Sequence, residues 1–309
     1  MAVQAADSNP ALGAEPASHH GEAARRARAR RSFIRKALIY IVLSVGAIGV
    51  LVPFLWQIST SLKTDAQINA VPAQWIPDPI RWANYADAYS YLPFAIFFRN
   101  TVLVEVGVIS GMLLSSTMAA YAFARLNAPL KNQMFLLVLS TMMLPGIITL
   151  IPSYVIFRDL GMIDTLWPLI LPAWFSAGYA FGIFLIRQFF LGIPGELGEA
   201  ATIDGAGTLG IMFRIYVPLA KPALAAITIM TFISAWHDFF TPLIYLNSEH
   251  NFTLALGINE FIQNTKTGVQ THWGLVMAAS MSIVVPPLIL FLAFQRFFVS
   301  GITLGGVKG

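Results

Sequence analysis

The chain has 309 residues, 57% hydrophobic and 11% charged, with a formal net charge of +4 and no cysteine. A water-soluble domain carries about 25% charged residues, so this composition excludes an ordinary soluble fold. The missing cysteines exclude disulfide and thiolate chemistry.

Residues 1–36 read as a disordered basic cytoplasmic arm. Residues 1–24 are rich in Ala with Gly, Pro and Ser, a composition that predicts disorder. Arg25, Arg26, Arg28, Arg30, Arg31, Arg35 and Lys36 follow. A basic cluster beside an apolar run suits anionic lipid headgroups better than nucleic acid. Residues 37–309 then hold six apolar runs: Ala37–Ser59, Thr101–Phe123, Met134–Phe157, Leu166–Ile186, Ala220–Leu246 and Leu275–Phe297. About 20 apolar residues cross a bilayer as a helix, whereas a barrel strand needs only about 10. The predicted fold class is therefore an all-α membrane protein with six transmembrane helices. The first run is too long for a signal-peptide core and has no small-residue cleavage pattern after it, so it is expected to be retained. Placing the arm inside the cell puts fourteen of the 19 Lys and Arg residues inside and five outside. The positive-inside rule then predicts a multi-pass protein of a bacterial cell membrane with both termini cytoplasmic.

Two outside segments, residues 60–98 and 247–274, are long enough to receive a soluble partner. Pro145, Pro152, Pro168, Pro172, Pro286 and Pro287 interrupt the third, fourth and sixth runs, and each removes a backbone donor.

The polar gap at residues 194–218 has its own helix chemistry. Pro194 suits a first helical position, and Glu196 and Glu199 lie near the positive helix end. Gly205 supplies a left-handed residue that ends a helix. Thr208 is expected to cap a second helix, Leu209–Val217, which Pro218 ends. The prediction is a cytoplasmic helix-turn-helix. Glu199 and Asp204 are placed to cap backbone groups or to pair with Arg214 or a partner's Arg.

Glu199-Ala200-Ala201, then Gly205, Ile215 and Pro218 at their spacings, resemble the EAA loop of ATP-binding-cassette importer permeases. Val217 fills a slot often held by Leu. Ala119–Leu126, Leu144 to Pro152 with Leu160-Gly161, Asp204-Gly205-Ala206 and the tail Gly301–Gly309, with Gly305 and Lys308, are similar to carbohydrate-uptake permeases. The tail is most like the smaller membrane subunit of the maltose importer. The resemblance implies that Glu199, Ala200, Ala201, Asp204, Gly205, Ala206, Ile215 and Pro218 dock on an ATPase. It implies a second, non-identical permease, two ATPase copies, an extracytoplasmic solute-binding protein and a sugar cargo. ATP and Mg would sit on the ATPase, and this chain would bind no cofactor.

Trp236-His237-Asp238-Phe239 resembles a segment that usually reads Trp-Asn-Asp or Trp-Asn-Glu; His237 is the departure. With Tyr245, these four are the candidate substrate-path residues. Asp238 and Glu105 are ionisable groups in apolar runs, which cost about 2.5–3.5 kcal/mol at a bilayer centre. The five histidines have no metal-ligand spacing, no P-loop motif is present, and no catalytic dyad stands out. The chain is therefore expected to be non-catalytic and metal-free. Two other readings remain: the same machine carrying a polyol or glycerol phosphate, and a self-sufficient secondary transporter. The absence of internal repeat symmetry counts against the latter.

Overall fold

The computed structural model describes residues 19–91, 93–176, 178–267 and 272–305, with side chains over 30–91, 93–176, 178–263 and 272–294. No strand occurs among the described residues. The chain falls into two units, one up to Gln57 and one from Ile58.

The first unit is most of helix α1, His19–Ser61. Every side chain from 38 to 53 is exposed. A helix that is apolar all round belongs in lipid or a core. The helix starts well before residue 37, so residues 19–36 of the expected disordered arm are helical. Ala and Arg are strong helix formers, and extending an existing helix needs no new nucleus.

The second unit opens with α2 (Asp65–Ile68), held by a capping box between Thr64 and Gln67, and α3 (Ala83–Tyr91). Helix α4, Phe94–Arg125, is the central element and has no internal proline. It packs on α7 (Trp167–Trp174), α8 (Ala180–Gly192), α12 (Lys221–Trp236) and α14 (Leu254–Thr267). Gly107 and Gly111, one turn apart, let α7 approach closely. A Cβ on Gly111 would lie 2.3 Å from the Trp174 ring, whose Nε1 donates to the Gly107 carbonyl at 3.0 Å. Small residues four apart serve this purpose between membrane helices.

Three of the expected spans are not single helices. The third is α5 (Lys131–Ser140) with a short 3-10 turn to Met143, then α6 (Gly146–Asp159), bent by 99°. Pro145 stands at that break, where its ring cannot continue the helix. The fourth divides into α7 and α8, with Ser176 and Gly178 at positive φ between them. The fifth divides into α12 and α13 (Phe240–Tyr245) at His237–Phe239. The sixth, α15, runs Trp273–Gly305 with Pro286 and Pro287 inside it. By length and composition three helices can cross a membrane, or up to six if three bent pairs each count as one span: Lys131–Met143 with Gly146–Asp159, Ala180–Gly192 with Glu196–Ile203, and Thr208–Leu219 with Lys221–Trp236.

Candidate functional site: a braced loop and a polar cavity

The polar gap forms α9 (Glu196–Ile203), α10 (Thr208–Ile211), a π turn (Met212–Tyr216) and α11 (Val217–Leu219). Glu196 and Glu199 occupy the first turn of α9, where the helix dipole favours carboxylates. Gly205 ends the helix at φ +82. Its N–H donates to the Thr202 carbonyl at 3.0 Å, and the Ala206 N–H donates to the Ala201 carbonyl at 2.9 Å. That bond pair is a complete Schellman end.

Three details differ from expectation. Pro194 precedes the cap residue Gly195 and lies outside α9. Gly207, already extended at ψ 161, caps α10, so Thr208 is its first helical residue. Pro218 does not end the second helix. It lies in α11, which continues the π turn without a break, and the chain bends by 80° only at the following break before α12. The π turn places the Val217 N–H on the Met212 carbonyl, one residue wider than an α turn. That widening spares the backbone a clash with the proline ring.

The loop is seated by residues whose role the sequence did not reveal. The Arg125 guanidinium at the end of α4 donates to the carbonyls of Phe190 and Ile193 at the end of α8. It also lies 4.9 Å from the Tyr216 ring centroid. Tyr216 is buried and meets Tyr121 at 5.3 Å and Phe190 at 5.6 Å. A Cβ on Gly198 would come within 3.1 Å of the Tyr216 hydroxyl, so α9 is in close contact there. A cleft of about 270 Å³ remains, lined by Tyr121, Arg125, Glu199, Thr202, Thr208 and Tyr216 among others.

The loop residues divide by direction. Ala201, Ala206, Ile215 and Val217 pack against the core. Glu199, Ala200, Asp204, Gly205 and Pro218 are exposed. Beside them Leu197, Leu209 and Phe213 are about half exposed, and Ile203 is 87% exposed. Among the described residues no ion pair joins Glu199 or Asp204 to Arg214.

A second site lies at the α12–α13 break. A cavity of about 100 Å³ is lined by Thr101, Tyr179, Ser234, Trp236, Asp238 and Thr253, with apolar neighbours. The structure thus brings Trp236 and Asp238 together. One oxygen of Asp238 accepts the Thr241 N–H at 3.1 Å, which starts α13. Trp236 stacks on Phe232 at 5.3 Å and donates to the Ile283 carbonyl at 2.9 Å. Glu105 is 4% exposed and neither oxygen has a hydrogen-bond partner; the Thr253 hydroxyl is likewise buried and unpartnered. Glu105 and Asp238 both lie close enough to Tyr179 to act on it electrostatically.

The other candidates lie elsewhere. His237 is exposed and its Nδ1 faces the Ile233 carbonyl at 2.9 Å. Phe239 is the cap residue just before α13 and does not line the cavity. Tyr245 is buried against Tyr154 and Phe157. Gly305 is the last residue of α15, and Lys308 lies outside the described residues. Among the described residues no group of three or more His, Asp and Glu is placed to hold a metal.

Asp164 marks a third polar focus, which the sequence did not announce. Its carboxylate accepts from the Asn247 N–H at 2.9 Å, the Ser248 N–H at 2.8 Å and the Ser248 hydroxyl. Its own N–H donates to the Tyr245 carbonyl at 2.8 Å. Burial opposes ionisation, but the bonds from Ser248, Asn247 and Asn251 outweigh it and hold the carboxyl well below the usual range.

Comparison with known proteins places this geometry. Residues 111–304 match the family described as binding-protein-dependent transport system inner membrane component. The sn-glycerol-3-phosphate transport system permease protein UgpE of Yersinia enterocolitica is 32% identical, over 85% of this chain and 94% of its own. The arabinooligosaccharides transport system permease protein AraQ of Halalkalibacterium halodurans is 37% identical, over 69% and 74%. Among solved structures, a bacterial ABC transporter that imports the acidic polysaccharide alginate has a chain with a TM-score of 0.76 and 25% identity, covering 87% of this chain and 98% of that one.

Proposed function

The chain belongs to the family of binding-protein-dependent transport system inner membrane components, and we propose that its α9–α11 loop is where an ATPase subunit drives it. It is an all-α, multi-pass permease subunit of an ATP-binding-cassette importer, without catalytic chemistry of its own. The observation that carries the loop reading is the division of its residues. Leu197, Ala200 and Ile203 recur every third position on the outer face of α9, while Ala201 on its inner face and Ala206 just past its end pack against the core. An exposed apolar face on a fastened helix suits a groove in a partner. The loop, and both termini, would then face the cytoplasm, where ATP and Mg sit on the partner.

The remaining machine is read as one second, non-identical permease, two ATPase copies and an extracytoplasmic solute-binding protein. The cargo is read as a neutral sugar. Trp236 and Asp238 line a cavity without Lys or Arg, and Glu105 lies nearby. Such a wall accepts hydrogen bonds from hydroxyls and repels anions. Glycerol phosphate, the cargo named for one relative, is the second reading; it would need a cationic wall from the other permease.

Ile203→Asp tests the docking. The expected result is a chain that still inserts in the membrane but no longer co-purifies with the ATPase. Retained co-purification would remove the docking face from α9. A thermal-shift panel on the solute-binding protein, set with neutral sugars, polyols and glycerol phosphate, tests the cargo. Transport by this chain alone, driven by an ion gradient, would favour the secondary-transporter reading.

A further inference from the structure

Arg125 meets several parts of the loop's foundation at once. It sits at the last position of α4. Its two acceptors are the Phe190 and Ile193 carbonyls at the end of α8, where a helix terminus leaves carbonyls short of donors; the Phe190 carbonyl also accepts the Ile193 N–H at 3.2 Å. A cation at that end also faces the negative pole of the helix. The same guanidinium packs on Tyr216 of the π turn, and a Cβ on Gly195 would lie 3.7 Å from its Nη1. Tyr216 in turn contacts α9 at Gly198. One planar fork therefore meets the end of α4, the end of α8, the approach to α9 and the π turn.

Helix α4 leads from this point without a proline. From Arg125 to Glu105 it covers twenty residues, about 30 Å at the helical rise. Its far part carries Thr101, Val104 and Val108, all lining the polar cavity. We propose that Arg125 is the positioning residue that joins the loop to α4, so that loop and helix move as one lever ending at the cavity wall. The joint itself rests on the geometry above; its use in coupling rests on the docking reading.

The absence of cysteine makes the test direct. Spin labels on Met118→Cys, in α4, and Ile203→Cys, in α9, report the distance between helix and loop in the full chain without the ATPase. Both positions are exposed. The parent should give one narrow distance distribution. Arg125→Ala should at least double its width, and Tyr216→Leu should broaden it as well. Arg125→Lys should fall between, because an ammonium keeps the charge but has no planar face to lay on the Tyr216 ring. An unchanged width in Arg125→Ala overturns the joint. In the assembled importer, without labels, Arg125→Lys should raise ATP hydrolysed per solute imported several-fold with the ATPase still bound. An unchanged ratio beside broadened distances overturns the coupling role. If the ATPase fails to co-purify with the parent chain, the docking reading has failed instead, and the distance measurement still decides the joint.

Discussion

The braced loop and the polar cavity stand at different parts of α4 and treat polar groups in opposite ways. Around the loop, donors and acceptors are largely matched: the Schellman bonds end α9, and Arg125 serves two carbonyls and a ring, with its buried Nε unpartnered. Around the cavity, Glu105 and Thr253 are buried with no partner at all. Each unmatched buried polar group costs about 1–3 kcal/mol. Matched networks rigidify, while unmatched ones mark strain or a group that something else must satisfy. On the proposed function, the stiff end is the one that receives force and the polar end the one that meets hydroxyls.

The largest way to break that contrast is to unfasten the stiff end. Gly205→Val puts a β-branched residue at φ +82, a conformation that costs about 1–2 kcal/mol for ordinary residues and more for a branched one. Uptake should be abolished while the protein still appears in the membrane fraction in normal amount. Normal uptake would show that the turn is dispensable.

Glu105→Leu acts on the other end with the opposite sign on stability. Removing an unpartnered carboxylate should stabilise the bundle by about 1–3 kcal/mol, read as a raised unfolding midpoint in detergent. Uptake should fall. A lowered midpoint would mean that Glu105 is satisfied in the fold, and the cavity would no longer differ from the loop. Asp238→Asn sharpens the same point more gently. Asn keeps an oxygen for the Thr241 N–H and so keeps the start of α13. Stability should hold, whereas uptake should weaken through KM; unaltered uptake confines Asp238 to its structural bond.

The sequence disclosed the two ends unequally. The helix-end chemistry of Gly205 is local, so its left-handed turn could be read from residue order alone. The breaks at Ser176–Gly178 and His237–Phe239 could not, because an apolar run gives length and no direction. Arg125 was visible only as a basic residue near a span. Its acceptors lie 65 and 68 residues away, and no periodicity announces a contact across that distance. Glu105 was legible as an anomaly, but its lack of partners depends on what α4 meets in space. The π turn depends on how Pro218 is accommodated, which composition does not specify.

Asp164 supplies the smallest effect and the control between the two ends, since it is a carboxylate whose partners are complete. Its pKa is depressed in the folded chain by the bonds from Ser248, Asn247 and Asn251, which outweigh the opposing effect of burial. A depressed carboxyl contributes stability above its unfolded value, about 3.9, and loses it as pH falls through the folded value. Asp164→Asn should therefore lower the unfolding midpoint at neutral pH. The gap from the parent should narrow steadily below about pH 4. Solvent screens a partly exposed group, so the shift should stay under about 4 °C. A gap that is constant with pH would assign the effect to the shape of the turn, where Asp164 holds φ 61, and not to its charge.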